Sequence, residues 1–173
     1  IIAGSGGQGI IVTGQMLARA ALLEGRNAVQ TQSYGIAQRG GFCAAEVITD
    51  EDEILFQQVE HPDAVVVLGR EAADRFADTP APVIYDSDAI PFAGGGWIGL
   101  PLSAIATRAG NARASNAAGA GALLALTGMA RLESFIQTLD GFKAAVREAN
   151  AEAARAGYAA LMDLFPEGGP HGR

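Results

Sequence analysis

A glycine-rich loop near the start of the chain is the first segment that could do chemistry. It follows the apolar residues 1–3, precedes a stretch with helical spacing, and reads Gly4-Ser5-Gly6-Gly7-Gln8-Gly9. Between a strand and a helix, this G-x-G-x-x-G pattern favours an anion, because backbone N–H groups and the positive end of the helix dipole meet there. The four glycines and Gln8 are therefore predicted to contact a phosphate-bearing ligand. The alternative is a tight turn that only packs.

The neighbouring residues disfavour two specific nucleotide sites. A dinucleotide site needs a carboxylate at the end of the second strand for the ribose hydroxyls. Here residues 31–33 are Thr-Gln-Ser, and Glu24 lies too early in the chain. A Walker A loop needs Lys and Ser or Thr where this chain has Ile10 and Ile11. The loop by itself identifies no particular nucleotide.

A second glycine-rich segment follows the second predicted strand. It reads Ser33-Tyr34-Gly35-Ile36-Ala37-Gln38-Arg39-Gly40-Gly41. In a parallel sheet this segment lies at the same carboxyl edge as the first loop. An arginine between glycines is suited to clamp a carboxylate or a phosphate. We therefore predict ligand contacts from Ser33, Tyr34, Gly35, Arg39 and Gly40, and the alternative is a surface loop whose arginine pairs with a local carboxylate.

The elements that must position these loops form an α/β pattern. Strands are predicted at 1–3, 27–32, 42–49, 63–69, 82–86 and 97–100, and helices at 10–24, 71–76, 102–108, 116–126, 132–139 and 142–164. This order predicts a single three-layer α/β/α domain over 1–165 with a largely parallel sheet, followed by a flexible tail at 166–173. The connection between Gln32 and Phe42 is too short for a crossover, so at least one strand should be antiparallel.

Single polar residues elsewhere add little chemistry. Asn116 begins the Ala/Gly-rich helix, where it could cap the helix or contact a ligand. Cys43 is expected to be a small buried hydrophobe, since no histidine is near it in the sequence. We predict no catalytic residue and no metal ligands in this chain.

Composition and charge exclude several classes of function. The 173 residues carry a net charge of −7, which disfavours nucleic-acid binding. No apolar run approaches the roughly 20 residues of a membrane span. The single Cys43 excludes an internal disulfide and a four-cysteine iron–sulfur site. With no visible signal peptide, the expected location is the cytoplasm.

The two glycine segments together carry a family resemblance. Their order and spacing resemble the gamma subunit of 2-oxoacid:ferredoxin (acceptor) oxidoreductases, which include the pyruvate, 2-oxoglutarate, 2-oxoisovalerate and indolepyruvate enzymes. The resemblance covers nearly the whole chain in order. It continues in Ala45-Glu46-Val47-Ile48-Thr49-Asp50, Pro62-Asp63-Ala64-Val65-Val66 and Asn116-Ala117-Ala118-Gly119-Ala120.

The resemblance implies a role in an enzyme complex. Such a complex decarboxylates a 2-oxoacid on thiamine diphosphate, passes electrons through iron–sulfur clusters to ferredoxin, and transfers the acyl group to coenzyme A. This chain contains no Gly-Asp-Gly, which begins the usual thiamine diphosphate motif, and it has one cysteine. Thiamine diphosphate, Mg²⁺ and the clusters are therefore expected in alpha, beta and delta-type partner subunits. The chain alone should be inactive, and its loops should support assembly or a shared coenzyme A route.

Two other interpretations stay open at this point. One is a stand-alone oxidoreductase domain that binds a dinucleotide through the first loop, which the missing carboxylate disfavours. The other is a pure assembly module without any ligand, and glycine loops can serve either an interface or a ligand.

Overall fold

Strands and helices alternate along the chain in the computed structural model, which describes residues 1–35, 41–91 and 95–165. The strands are β1 Ile2–Ser5, β2 Asn27–Tyr34, β3 Phe42–Asp50, β4 Val65–Val67, β5 Val83–Asp86 and β6 Ile98–Leu100. The helices are α1 Ile10–Leu23, α2 Arg70–Arg75, α3 Leu102–Arg108, α4 Ser115–Thr127, α5 Leu132–Gln137 and α6 Ala144–Met162, with a 3-10 turn at Thr138–Gly141. The predicted tail at 166–173 lies outside the described residues.

The strands form one mixed sheet in the order β2-β3-β1-β4-β5-β6. Strands β1, β4, β5 and β6 pair in parallel, and β3 runs antiparallel to both of its neighbours, β1 and β2. The short connection from β2 to β3 explains this exception, because a parallel return would need a crossover of a dozen or more residues. The prediction of an α/β domain with a largely parallel sheet and an antiparallel strand is confirmed.

The two faces of the sheet carry layers of unequal thickness. Side chains of α1, α3, α4, α5 and α6 join one core cluster with the sheet residues Ile2, Cys43 and Val66. On the opposite face, α2 and a few flanking apolar side chains cover Ala3 and Val67. The central strand β4 is fully buried, as a continuous apolar run between two covered faces should be.

Helices α4 and α6 approach each other at glycines. A Cβ at Gly121 would collide with the backbone carbonyl of Ala154, and a Cβ at Gly157 would collide with that of Ala118. Both glycines are buried in their helices. The Ala- and Gly-rich composition of these helices is therefore a packing requirement, because only small side chains let two helix backbones touch.

Most predicted elements match the structure, and the boundaries differ where pairing decides them. Strand β2 continues to Tyr34, two residues beyond the prediction, because Ser33 and Tyr34 pair with Ala44 and Cys43 of β3. The apolar run at 63–69 is a strand only over Val65–Val67, the residues in register with β5. No helix in the described ranges has the length and hydropathy needed to cross a membrane.

Candidate functional site

The first glycine loop connects the carboxyl end of β1 to the start of α1. The backbone adopts positive φ at Gly7 (+94°) and Gly9 (+73°), a region where side chains are penalised, but not at Gly6. A Cβ at Gly4 would collide with the Gln8 side chain. Backbone conformation thus favours glycine at positions 7 and 9, and the position of the Gln8 amide favours it at position 4, before any ligand is considered.

The Gln8 side chain holds the loop to the neighbouring strand. Its Oε1 accepts the Ser5 backbone N–H at 2.6 Å, and its Nε2 donates to the Leu68 carbonyl at 3.1 Å. Ser5 ends β1 and Leu68 directly follows β4, so the amide bridges the ends of two parallel strands. Gln8 is predicted from the sequence to contact a ligand, and the structure shows that this half-buried side chain has an internal role.

Asn116 joins the first turn of α4 to the first turn of α1. Its Nδ2 donates to the Thr13 hydroxyl at 2.9 Å and lies 3.5 Å from the Gly9 carbonyl oxygen. Thr13 is buried and its hydroxyl donates to the same Gly9 carbonyl at 3.0 Å. The cap position of α4 is Ala114, and Asn116, within the first turn, accepts the Ala117 backbone N–H through its Oδ1 at 2.9 Å. It is a cross-link between two helix starts.

This cross-link brings two helix N-termini to one place beside the first loop. Helices α1 and α4 contain 14 and 13 residues, and no acidic residue lies in the first turn of either. Each helix end carries about half a positive charge, so the pair favours an anion near the exposed Gly6 and Gly7. The contact of this loop with a phosphate-bearing ligand stays a prediction.

The second glycine segment meets the first loop at the same edge. Gly6 donates its backbone N–H to the Gly41 carbonyl at 2.9 Å, and Gly35 donates to the Phe42 carbonyl at 2.8 Å. Gly41 is thus held beside the first loop, and Gly35 is held beside the first residue of β3. Arg39 and Gly40, the predicted clamp, lie outside the described residues. The predicted meeting of the two segments at one edge agrees with these contacts.

Ser33 and Tyr34 point to opposite faces of the sheet. Tyr34 pairs with Cys43, so its side chain lies on the face that carries α1, and it is 64% exposed. Ser33 lies on the other face, where its hydroxyl donates to Glu46 at 3.3 Å. Of these two predicted contact residues, Tyr34 shares the face of the α1 N-terminus and Ser33 does not.

Other polar groups near this edge serve the fold. The buried Asp86 carboxylate at the end of β5 accepts the Ser103 hydroxyl at 2.5 Å and backbone N–H groups at the start of α3 and in the adjacent turn. Burial raises the pKa of the Cys43 thiol, which keeps it protonated and unreactive. Within the described ranges, no group of three or more His, Cys, Asp or Glu is arranged to hold a metal.

Thr13 and Leu68 hold this site together and were not among the residues predicted from the sequence. Thr13 follows Gly9 by four residues, a spacing at which a hydroxyl can reach the carbonyl one turn back. That signal was available in the sequence. Leu68 acts through its backbone carbonyl, which only the fold brings next to Gln8.

Comparisons with known proteins give one consistent result. The family model described as pyruvate ferredoxin/flavodoxin oxidoreductase matches residues 1–160. The chain is 40% identical over 132 residues to the 2-oxoglutarate synthase subunit KorC of Archaeoglobus fulgidus, covering 74% of this chain and 70% of that protein. It is 38% identical over 130 residues to the ketoisovalerate oxidoreductase subunit VorA of Methanothermobacter thermautotrophicus, covering 72% of this chain. That match spans only 27% of VorA.

A solved structure shares the fold. It is the gamma subunit of a keto/oxoacid ferredoxin oxidoreductase from Geobacter sulfurreducens, with a TM-score of 0.80 and 29% identity. The match covers 94% of this chain and 96% of that one. The whole described architecture, not the glycine loops alone, is therefore shared with that subunit.

Proposed function

Because the chain belongs to the pyruvate ferredoxin/flavodoxin oxidoreductase family, we propose that it is the gamma subunit of a complex that oxidatively decarboxylates a 2-oxoacid to its acyl-CoA. The complex uses thiamine diphosphate and iron–sulfur clusters held by partner subunits, with ferredoxin as electron acceptor. The proposal places the complex in the cytoplasm. The relatives include a 2-oxoglutarate synthase subunit and a ketoisovalerate oxidoreductase subunit, so the substrate is proposed only as a 2-oxoacid.

The residues of this chain do not fit the resident cofactors of such a complex. Cys43 is the only cysteine and it is buried, and one thiolate does not supply the four ligands of an iron–sulfur cluster. The 173 residues contain no Gly-Asp-Gly for thiamine diphosphate. We therefore assign no reaction step to this chain. Its contribution is to assemble with the partners and to orient an anionic part of a substrate.

The observation that carries the ligand part of the proposal is the junction of the two glycine segments beside two helix N-termini. The bond from Gly6 to Gly41 joins the segments, and the Asn116 side chain joins the helices at Gly9 and Thr13. Coenzyme A carries phosphates that such an edge attracts. We propose that this edge, with Arg39, borders the coenzyme A route of the complex.

Reconstitution tests the assembly part of the proposal. The chain is co-expressed with the other subunits, and reduction of a viologen dye is measured with a 2-oxoacid and coenzyme A. The expected result is a stable complex whose activity requires this chain. A complex of full activity assembled without it would overturn the proposal.

A variant at Arg39 tests the ligand part. Loss of a charge-assisted hydrogen bond to phosphate costs about 1.5–3 kcal/mol, so Arg39→Ala should raise the apparent KM for coenzyme A roughly ten- to a hundredfold. The matched control is Arg147→Ala, on the exposed surface of α6, which should leave it unchanged. An unchanged KM for Arg39→Ala would remove the arginine from the coenzyme A route.

The internal bonds of Gln8 favour a second candidate, an assembly module without ligand contact. Both ends of its amide are bonded within the chain, as a loop built for packing requires. The Arg39→Ala complex distinguishes the two candidates. Altered subunit stoichiometry with an unchanged coenzyme A response would favour the assembly module.

A further inference from the structure

The charge of this chain is concentrated in one segment. Residues 46–63, here called the acidic segment, contain the seven carboxylates Glu46, Asp50, Glu51, Asp52, Glu53, Glu60 and Asp63. Neither Lys nor Arg occurs between Arg39 and Arg70. The 12 acidic residues elsewhere balance the 12 basic residues, so the acidic segment accounts for the whole net charge of −7.

Two large apolar side chains project from the middle of the acidic segment. Leu55 is 85% exposed and Phe56 is 59% exposed, in an irregular stretch between β3 and β4. Leu55 is the most exposed of the large apolar side chains in the described ranges, and an apolar patch with a polar rim is a feature of protein interaction sites. A turn that is only solvated would not explain why two large apolar side chains are exposed beside the carboxylates.

Hydrogen bonds hold the acidic segment against the β2–β3 hairpin. The Asn27 side chain donates to the carbonyls of Glu51 and Asp52 at 3.1 and 3.0 Å. Farther along, the Val59 backbone N–H donates to the Glu46 carboxylate at 3.3 Å. Both ends of the stretch that carries Leu55 and Phe56 are therefore anchored. The carboxylates of Asp50, Glu51, Asp52 and Glu53 are exposed, and none of the ion pairs found in the described ranges involves them.

We infer that the acidic segment is a docking surface for a protein that presents basic side chains around an apolar socket. The inference rests on the proposed function, which supplies such a partner as another subunit of the complex. A second copy of this chain docked symmetrically would set seven carboxylates against seven. Nucleic acids and anionic membranes would be repelled in the same way. A protein surface with basic side chains around an apolar socket matches both the negative charge of the acidic segment and the exposed pair Leu55 and Phe56.

The binding affinity of this chain for the thiamine-bearing subunits tests the inference. The quadruple variant Asp50→Asn, Glu51→Gln, Asp52→Asn, Glu53→Gln removes four charges, and the amide introduced at position 50 keeps an oxygen that can accept the backbone N–H of residue 52. We expect its Kd to rise about tenfold or more and the salt dependence of binding to weaken. The control neutralises four exposed carboxylates elsewhere, through Glu71→Gln, Asp74→Asn, Asp78→Asn and Glu133→Gln, and should keep the wild-type Kd and salt dependence.

The apolar pair is tested separately. The double variant Leu55→Ser, Phe56→Ser should also raise Kd at least about tenfold, because two exposed side chains lose their burial in the socket. The control is Leu22→Ser, Leu23→Ser at the end of α1, where the leucines are 54% and 53% exposed. Melting temperatures of all variants establish that each is folded.

The outcomes separate this inference from the proposed function. If the wild-type chain assembles into an active complex but the acidic and apolar variants bind as tightly as their controls, the inference is overturned and the proposed function stands. If the wild-type chain does not bind the subunits at all, both fail. Self-association of the isolated chain that the same variants abolish would also overturn the inference.

Discussion

At the scale of single residues, Gln8 shows how one side chain can shape a loop. Replacing it with alanine leaves the Ser5 N–H and the Leu68 carbonyl without their partners. We expect Gln8→Ala to lower the free energy of unfolding by about 1–3 kcal/mol, measured by urea denaturation. The matched control is Gln15→Ala, at an exposed position in α1, with a change below about 0.5 kcal/mol. Equal stability of Gln8→Ala and wild type would mean that the amide does not hold the loop.

Gly7 and Gly9 of the same loop allow the cost of backbone strain to be distinguished from the cost of a steric collision. Both Gly7 and Gly9 have positive φ, so alanine at either position costs about 1–2 kcal/mol. A Cβ at Gly7 meets open space, whereas a Cβ at Gly9 would lie 2.6 Å from Asn116 Nδ2. Gly9→Ala should therefore destabilise the chain more than Gly7→Ala in the same unfolding assay. A larger loss at Gly7 would contradict the contact between the two helix starts.

Glu24 gives the fold a defined pH dependence. Burial alone would raise the pKa of this carboxyl, but hydrogen bonds from the Ser134 side chain and Arg131, together with the charge of Arg131, lower it below its usual value of 4.5. Its Oε1 accepts the backbone N–H of Arg131 at 2.7 Å. Because the folded pKa lies below the unfolded pKa, the stabilisation is present above pH 4.5 and is lost as pH falls through the folded pKa.

The comparison of Glu24→Gln with wild type measures this dependence. We expect the variant to be less stable at about pH 7, and the difference to shrink as the pH falls below 4.5. Glu133→Gln, an exposed neighbour, is the control and should show little difference at either pH. A difference between Glu24→Gln and wild type that grows at low pH would contradict the assigned direction.

At the scale of elements, the contact between α4 and α6 depends on glycine. Alanine usually favours a helix over glycine by about 1 kcal/mol, but a Cβ at Gly157 would collide with the Ala118 carbonyl of the facing helix. Gly157→Ala should therefore destabilise the chain by about 3 kcal/mol or more, because the colliding atom belongs to the backbone and cannot change rotamer. Gly141→Ala, with open space around the added carbon, is the control in thermal and urea unfolding.

The same scale shows what the sequence could and could not predict. Apolar runs and helical spacing were sufficient for the strands and helices, and the short Gln32–Phe42 connection predicted the antiparallel β3. These signals lie within a few residues of each other. The bonds from Gln8 to Leu68 and from Asn116 to Thr13 join residues 60 and 103 positions apart. No local pattern encodes such pairs, so the roles of these side chains emerged only with the fold.

At the scale of the whole molecule, two regions of the surface favour ligands of opposite charge. The junction of the glycine segments lies at the carboxyl end of β1, where two helix N-termini favour an anion. The acidic segment begins in the second half of β3 and continues beyond it, where Leu55 and Phe56 are exposed. One region attracts negative charge and the other attracts positive charge. A subunit that must meet both a phosphate-bearing substrate and a protein partner can use the two regions independently.

The last prediction concerns the isolated chain. Its 173 residues contain one cysteine and no Gly-Asp-Gly, and burial raises the pKa of the Cys43 thiol. We expect no reduction of viologen dye by the chain alone with any 2-oxoacid and coenzyme A, because its sequence lacks the residues of a thiamine diphosphate, iron–sulfur or complete dinucleotide site. Adding the partner subunits should give activity, with the partner subunits alone as the control. Steady turnover by the isolated chain would contradict the assignment of catalysis to the partner subunits and would require a reactive group within the chain itself.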